Sequence, residues 1–533
     1  MKKNLDKLIN NYIDKINITK DTAEINKEER EREKRRFNEN SNKQIINKIF
    51  GKSKKNYISA RANGEVYDIN NLKIIGITGT FGKSSVAVLI HRYLQSIGKK
   101  SVLYSSAYID SPASWLDRKV GYQPSMVDEE FLSNIINECK VYETEYLILE
   151  CWDGAISRGA FDNIDFDLKV LTSFMSNNAS NVFKDKEQYF NIKLKFLTAT
   201  DDCPVLINMR TGSFTEDIHK RRAFIDKINS KKLYYSILPA CAQELEDIKL
   251  DYYLEPTDML GDGKLRGAYQ TIDYSIVNIK SPNKEPHMYK SPLIGFNIDN
   301  SLCAYAIADF FGELDQEAWA EFIESEDLYI AGRTEKINWK DRTIIISPDQ
   351  LNICLLANDL RRFANNYYEN NYEYYYKNEP LKAPRKINNI ITTISPVSGS
   401  VSNTSGSDYY KKHYALNSTN IPEVNINNAI SAQSKAVFNN YVDFGVLNVI
   451  DLGDGDYDQI IEVMKSNLTI PTDSAKNRYD AIVKALMKSE KNDIIIVSGR
   501  GNLHRNKITY DKVEFGTDRE FIDKACEELY WLE

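Results

Sequence analysis

The sequence predicts an α/β protein of two alternating strand and helix blocks behind a charged helical extension, and three observations carry this. A chain of 533 residues is too long for one core at about 150 residues per domain. Between residues 73 and 105 a short apolar run, a glycine-rich break, an amphipathic stretch and a second apolar run follow one another. From residue 343 a second series of the same kind begins. The expected organisation is a helical extension over residues 1–72, a central unit over 73–329 and a C-terminal unit over 330–533.

Residues 1–56 are rich in Lys, Glu, Asn and Arg, and the run from Lys27 to Arg36 nearly balances acids against bases. That pattern reads as solvated helix and is a candidate contact for a protein partner rather than a nucleic-acid arm. Lys73–Ile77 is a buried strand by its apolar continuity, broken at Gly79 and Gly82. After it, Val86, Leu89, Ile90, Tyr93, Leu94 and Ile97 recur at intervals of three and four, a helix ended by Gly98. Ser101–Ser105 is the next strand, completing a parallel βαβ pattern. Tyr146–Leu149, Leu168–Leu171 and Val205–Ile207 continue the first series. Thr343–Ile346, the helix-like stretch from Leu351, Asp493–Val497 and a final helix from Asp518 make the second. Tyr367–Lys377 is Tyr- and Asn-rich, a helix extension or surface insertion with a base-stacking platform as the alternative. Ser395–Asp408 is a Ser/Gly/Pro loop.

Composition removes several classes. A hydrophobic fraction of 42% supplies ample surface to bury, so wholesale disorder is excluded. A net charge of −7 provides no global positive field for a polyanion, so no nucleic-acid partner is expected. No apolar run is long enough to span a bilayer and the N-terminus lacks an apolar signal core, which points to a cytoplasmic protein. Seven scattered cysteines without CxxC spacing, together with five histidines, suggest neither a disulfide framework nor a zinc site.

The chemistry is concentrated at Gly76–Ser85. Glycines between a strand and a helix let backbone N–H groups converge on phosphate oxygens, and the helix dipole adds to the attraction. Lys83 is placed to reach the β- and γ-phosphates and the Ser84 hydroxyl to ligate Mg²⁺. Strict GxxxxGK[ST] spacing would put Gly where this chain has Ile77, yet the strand, loop and helix context is that of a nucleotide site.

The stretch Thr78, Gly79, Thr80, Phe81, Gly82, Lys83, Ser84, Ser85 resembles the TGTxGK[ST][ST] loop of the Mur ligase family, ATP-dependent amide-bond ligases. Further stretches agree in order. Glu150–Arg158 resembles the E-x-x-x-G-G-I-x-R segment of cyanophycin-synthetase-like members, which implies a Mg²⁺-ligating role for Glu150. Pro292–Asn300 is similar to a PLIGxFNxxN segment, one residue shorter, and implies that Asn297 and Asn300 lie near the adenine. Gly332–Glu335 resembles the GRxE opening of a C-terminal domain whose Arg, here Arg333, reaches the phosphates. Ser347–Leu351 resembles a T-P-D-A-L stretch. Arg478–Ile482, Ser498–Asn502 and Asp518–Glu520 resemble R-x-x-AI, GRGHE and DRE stretches of the muramoyl-tripeptide synthetase branch. Glu187, Tyr189 and Lys193 fall in register with another stretch of that branch, which implies that Lys193, carbamylated, holds a second Mg²⁺.

The resemblance implies a P-loop NTPase-like central domain, a Rossmann-like C-terminal domain, and ATP and Mg²⁺ as cofactors. The chain departs from the pattern at several points. The metal-binding His of the tripeptide branch falls at Ala179 or Asn178, its D-Y-A-H falls on Thr343–Ile346, and the His of GRGHE is Asn502. An amino-acid-selecting motif is replaced by Ile394–Gly399, and the first 72 residues do not read as the α/β domain that recognises UDP substrates. The expected activity is carboxylate–amine ligation through an acyl phosphate, with Lys83, Glu150, Lys193 and Arg333 as catalytic residues. Thr78, Gly79, Thr80, Gly82, Lys83, Ser84, Ser85, Asn297, Asn300 and Arg333 would hold the nucleotide, and Ser84, Glu150 and Lys193 the metals. The substrates would be a small-molecule or peptide carboxylate and an amine or amino acid. The alternative is a catalytically impaired, nucleotide-binding relative acting as a partner or regulatory subunit; a P-loop ATPase or kinase of another family is a third.

Overall fold

The computed structural model describes residues 72–112, 127–174, 186–199, 202–210, 218–237, 247–255, 268–282, 284–326, 328–348, 350–371, 373–395, 432–449, 457–499, 505–507 and 513–530. The N-terminal extension lies outside them, as do Asn178, Ala179, Asn502 and most of the Ser/Gly/Pro loop.

The first sheet begins with β1 (Lys73–Thr78), whose five residues after Lys73 are buried, as a parallel strand covered on both faces requires. Helix α1 (Lys83–Ser96) follows the loop and leads to β2 (Ser101–Tyr104) and β3 (Ile109–Asp110). Next come α2 (Glu129–Val141), β4 (Tyr146–Glu150), α3 (Asp153–Ser157), β5 (Leu168–Leu171), α4 (Lys186–Thr198), β6 (Val205–Asn208), α5 (Ile218–Asp226), β7 (Lys232–Ser236) and β8 (Tyr252–Leu254). The antiparallel strands β9 (Ala268–Gln270), β10 (Ser275–Ser281) and β11 (Lys284–Ser291) follow, then α6 (Phe296–Phe310) and α7 (Gln316–Glu324).

Strand order is β3-β2-β4-β1-β5-β6-β7-β8-β10-β11, with β9 on β10. The segment from β2 to β8 is parallel. The βαβ expectation therefore holds in direction, but β4 is inserted between β1 and β2. One apolar layer joins α1 and α6 through Leu89, Tyr93, Leu302 and Tyr305; the other face packs α2 and α4 through Phe131, Ile135 and Phe196. Helix α6 is buried from Asn297 to Ala308, so the polar residues of its first turn lie inside the protein.

The second sheet contains β12 (Glu335–Trp339), β13 (Arg342–Ser347), β16 (Ile390–Ile394), β17 (Phe444–Leu447), β18 (Thr472–Ser474) and β19 (Ile494–Ser498), in the order β12-β13-β19-β16-β17-β18. Only β12 runs antiparallel. Helices α8 (Gln350–Asn370), α9 (Ala432–Tyr441) and α10 (Tyr457–Ser466) lie on one face; α11 (Arg478–Lys488) and α12 (Asp518–Glu528) lie on the other. Ile344 and Ile346 point into the second of these layers, so the stretch where the resemblance would put an Asp and a His is core strand.

The Tyr-rich stretch ends α8 and continues into a small hairpin of β14 (Tyr375–Tyr376) and β15 (Glu379–Pro380). Phe363, Tyr374 and Tyr376 turn inward against Tyr269 and Ile276 of the first sheet. Tyr376 also donates to Glu324 Oε1 at 2.6 Å. The helix-extension reading holds for Tyr367–Asn370, and the inward-turned rings of Tyr374 and Tyr376 pack against the first sheet. No described helix is long and apolar enough to cross a membrane. The six described cysteines are all free.

Candidate nucleotide site

The site forms where β1, β4 and β5 end, the carboxyl edge at which open α/β sheets bind ligands. The loop from Gly79 to Gly82 is held from below by the strand beside it. Thr80 N donates to Ser173 O at 3.0 Å and Phe81 N to Ser173 Oγ at 2.8 Å, while Ser173 Oγ donates to Phe81 O at 3.0 Å. Gly82 has φ of +86° and a Cβ there would stand 2.6 Å from Asn300 Oδ1, so both conformation and space demand glycine. Lys83 opens α1 and its Nζ donates to Gly79 O at 2.9 Å and Thr80 O at 3.2 Å, 5.2 Å from the centre of the Trp152 ring.

Ser84 Oγ donates to Glu150 Oε1 at 3.0 Å. Glu150, 1% exposed, is further held by Ser105 Oγ and Ser106 N, each 2.8 Å from Oε2. A hydroxyl and a carboxylate beside a phosphate loop form a hard oxygen pair of the kind Mg²⁺ binds when phosphates supply the remaining ligands.

Lys193, on α4, is fully buried and ion-paired with Asp153. Its Nζ also donates to Thr78 Oγ1 and Gly79 O, each at 3.0 Å. Burial pushes its pKa down to about 8, opposed by Asp153 and reinforced by Lys83. On the same helix, the Tyr189 and Thr80 hydroxyls share a hydrogen bond at 2.7 Å, whereas Glu187 faces outward. Asn300 Nδ2 donates to Asn297 Oδ1 at 2.9 Å, and Asn297 Nδ2 donates to Arg333 O at 2.8 Å. The two asparagines thus connect Gly82 to the segment entering the second sheet. Burial lowers the Arg333 pKa and the Glu150 carboxylate acts against that shift, so Arg333 stands within electrostatic reach of the loop. Ser85 is buried at the start of α1.

Several residues at the site were not singled out from sequence. Ser105, Ser106, Asp153 and Ser173 all follow or sit near strand ends, and polar residues at such positions were the available signal. A second group supports Arg333. Glu335 accepts from Gly332 N at 2.7 Å and from Arg519 Nη1 at 2.9 Å, tying the GRxE-like and DRE-like stretches together.

A family model described as the Mur ligase middle domain matches residues 77–308. That part of the chain resembles a Mur ligase middle domain. Among curated relatives, the UDP-N-acetylmuramoyl-L-alanyl-D-glutamate 2,6-diaminopimelate ligase of Helicobacter pylori is 24% identical over 298 residues, 54% of this chain and 59% of the relative. The enzyme of that name from Parabacteroides distasonis is 26% identical over 198 residues, 36% of this chain and 37% of its own. The matches therefore span less than two thirds of these relatives. In fold, the chain is similar to the MurF ligase of Thermotoga maritima in complex with ADP, with a TM-score of 0.50, 10% identity and coverage of 86% and 81%. It is equally similar to the folylpolyglutamate synthase of Thermotoga maritima, with a TM-score of 0.50, 11% identity and coverage of 91% and 99%. The Mur ligase resemblance read from the loop and the α/β architecture with a second, C-terminal sheet are both borne out.

Proposed function

We propose that the chain is an ATP-dependent carboxylate–amine ligase in which residues 73–329 hold the nucleotide and residues 330–533 close over it. One observation carries this reading: the Ser84 hydroxyl and Glu150 carboxylate meet beside the Lys83 loop, within electrostatic reach of Arg333. In the reaction, a substrate carboxylate oxygen attacks the γ-phosphorus and ADP leaves, giving an acyl phosphate. A neutral amine then attacks the acyl carbon, the C–O bond to phosphate breaks with its electron pair, and the nitrogen loses a proton. The products are amide, ADP and phosphate.

Lys83 and Arg333 offset charge on the transferred phosphoryl group. The amides of Gly79, Gly82 and Ser85 line the proposed phosphate cradle, Thr80 backs it through the hydrogen bond from its amide to Ser173 O, and Thr78 sits at its base, while Asn297 and Asn300 border the nucleotide. Ser84 and Glu150 would hold Mg²⁺, which supplies Lewis-acid charge neutralisation. Apposition of the two sheets excludes water that would otherwise hydrolyse the acyl phosphate.

The test is ADP release from Mg-ATP with a panel of amino acids and peptides as carboxylate and amine donors, with mass detection of an amide. Wild type should form a condensation product, and Lys83→Ala should abolish it. ATP hydrolysis or phosphorylation of a hydroxyl without any amide product overturns the reading. The second reading, a nucleotide-binding subunit without turnover, is favoured by the burial in the core of Ile346, which stands where the resemblance would put the His. Tight ADP binding without ADP formation on the same panel would select it.

A further inference from the structure

We propose that Lys193 works as a free ammonium clamped between Asp153 and the phosphate loop, and that this chain does not build a second metal site on a carbamylated Lys193. The proposal rests on the nucleotide-site reading above and specifies what holds the loop in its anion-binding form.

An ammonium group has three N–H donors and no acceptor. At Lys193 all three have an oxygen to meet: Asp153 Oδ1, Thr78 Oγ1 and Gly79 O. Each acceptor is suited to a cation. Apart from this ammonium, Asp153 Oδ1 is a buried atom with no hydrogen-bond donor. Thr78 spends its own proton on Cys151 O at 3.0 Å, so its oxygen faces Lys193 as an acceptor. Gly79 O receives both Lys193 and Lys83, at 3.0 and 2.9 Å.

That shared carbonyl explains why the clamp matters. A loop that turns its N–H groups toward an anion must turn some carbonyls away from it, and a buried carbonyl without a donor is costly. Two ammonium groups meet that need at Gly79. Carbamylation would leave one N–H on a planar nitrogen. It would withdraw donors from Thr78 and Gly79 and set a new carboxylate against Asp153. The residues present therefore suit the ammonium and do not fit a carbamate. The role is positional: Lys193 acts through the loop rather than on the reacting atoms.

The test uses the full chain in two measurements. First, wild-type protein equilibrated with ¹³C-bicarbonate is examined by ¹³C NMR beside Lys193→Gln. No carbamate carbon specific to the wild type is expected, and a carbamate signal lost in the variant overturns the proposal without bearing on ligase activity. Second, binding of a fluorescent ADP analogue is titrated in bicarbonate-free and bicarbonate-saturated buffer. Wild-type affinity should be the same in both. Lys193→Gln should weaken it about tenfold, equivalent to about 1.4 kcal/mol. Acetate added to Lys193→Ala, a stand-in for a missing carbamate, should restore nothing. Bicarbonate-dependent affinity or acetate rescue overturns the ammonium role. Failure of the wild type to bind the analogue in any buffer would instead overturn the nucleotide-site reading.

Discussion

Replacing Arg478 by Met should unfold the second sheet's unit far more readily than its distance from the phosphate loop suggests. The guanidinium and Asp518 are both 0% exposed. Nε and Nη2 donate to the two Asp518 oxygens at 2.8 and 3.0 Å. The remaining N–H groups reach Thr393 Oγ1 at 3.0 Å, Asn448 Oδ1 at 3.3 Å and Ser498 O at 2.8 Å. Arginine has five N–H donors and all five are used. Methionine fills the volume of the stem but strands a buried carboxylate, a change that costs about 3–5 kcal/mol. For a unit of about 200 residues, with about 2–4 °C per kcal/mol, its transition should fall by roughly 6–20 °C. Differential scanning calorimetry of the full chain, which separates the transitions of unequal units, reads this directly. Arg478→Met with Asp518→Leu should cost less than the sum of the two single changes, because the stranded charge is gone. Thr393, Asn448 and Ser498 still lose a donor, so recovery should stop short of wild type. A loss below about 1 kcal/mol in both single variants, or strict additivity in the cycle, would refute the argument, since buried pairs cut on one side do not behave so.

Three further outcomes follow from the geometry. Gly82→Ala should abolish binding of a fluorescent ADP analogue, because φ of +86° and a Cβ 2.6 Å from Asn300 Oδ1 cannot both be relieved without moving the loop; binding within twofold of wild type would contradict this. Burial raises the Asp299 pKa to about 6 against the attraction of Arg210. A carboxyl raised on folding contributes stability below its unfolded pKa of about 3.9 and loses it as pH rises through the folded value. The stability of wild type minus that of Asp299→Asn should therefore decline between about pH 4 and pH 6, at up to about 1.4 kcal/mol per unit; urea titrations giving a difference independent of pH would refute it. Tyr376→Phe removes the 2.6 Å hydrogen bond to Glu324 across the two sheets and should cost about 1–2 kcal/mol, seen as faster limited proteolysis of the segment after α8; unchanged cleavage would show that the bond carries nothing.

What the sequence made legible was what local chemistry dictates. The phosphate loop needs its glycines within one short turn between a strand and a helix, so Gly79, Gly82, Lys83 and Ser84 are legible as a unit from local sequence alone. Strands buried on both faces announce themselves as apolar runs, and β1, β4, β5, β13 and β19 were found within a residue or two of their ends. The insertion of β4 between β1 and β2 left no local mark, because neighbour choice in a parallel sheet is settled by how crossovers pack. The pairs that fix the C-terminal half were equally hidden. Arg478 and Asp518 are 40 residues apart, and Glu335 and Arg519 are 184 apart.

These hidden pairs change how the C-terminal resemblances are to be understood. Arg478 and Asp518 are used up on each other and on the carboxyl ends of β16 and β19 and the residue after β17, with no donor left for a substrate. Glu335 is committed to the Gly332 amide and Arg519, which fixes the turn that presents Arg333. The motif residues that persist in this half of the chain therefore maintain architecture: they hold strand ends in register and fix the turn that carries Arg333. The departures divide by the same logic. At Ile346, the His position, the side chain serves the core, so polar chemistry has been exchanged for packing without disturbing the strand, while Thr343, at the Asp position, is buried and accepts from Arg385. A chain altered in this way keeps the turn that carries Arg333, which under the proposed function would meet the nucleotide, and leaves the choice of acceptor to other surfaces. Substrate identity should accordingly respond to exchange of the loops after β16 and β19, and Arg478, Asp518 and Glu335 should tolerate no exchange whichever amine is used.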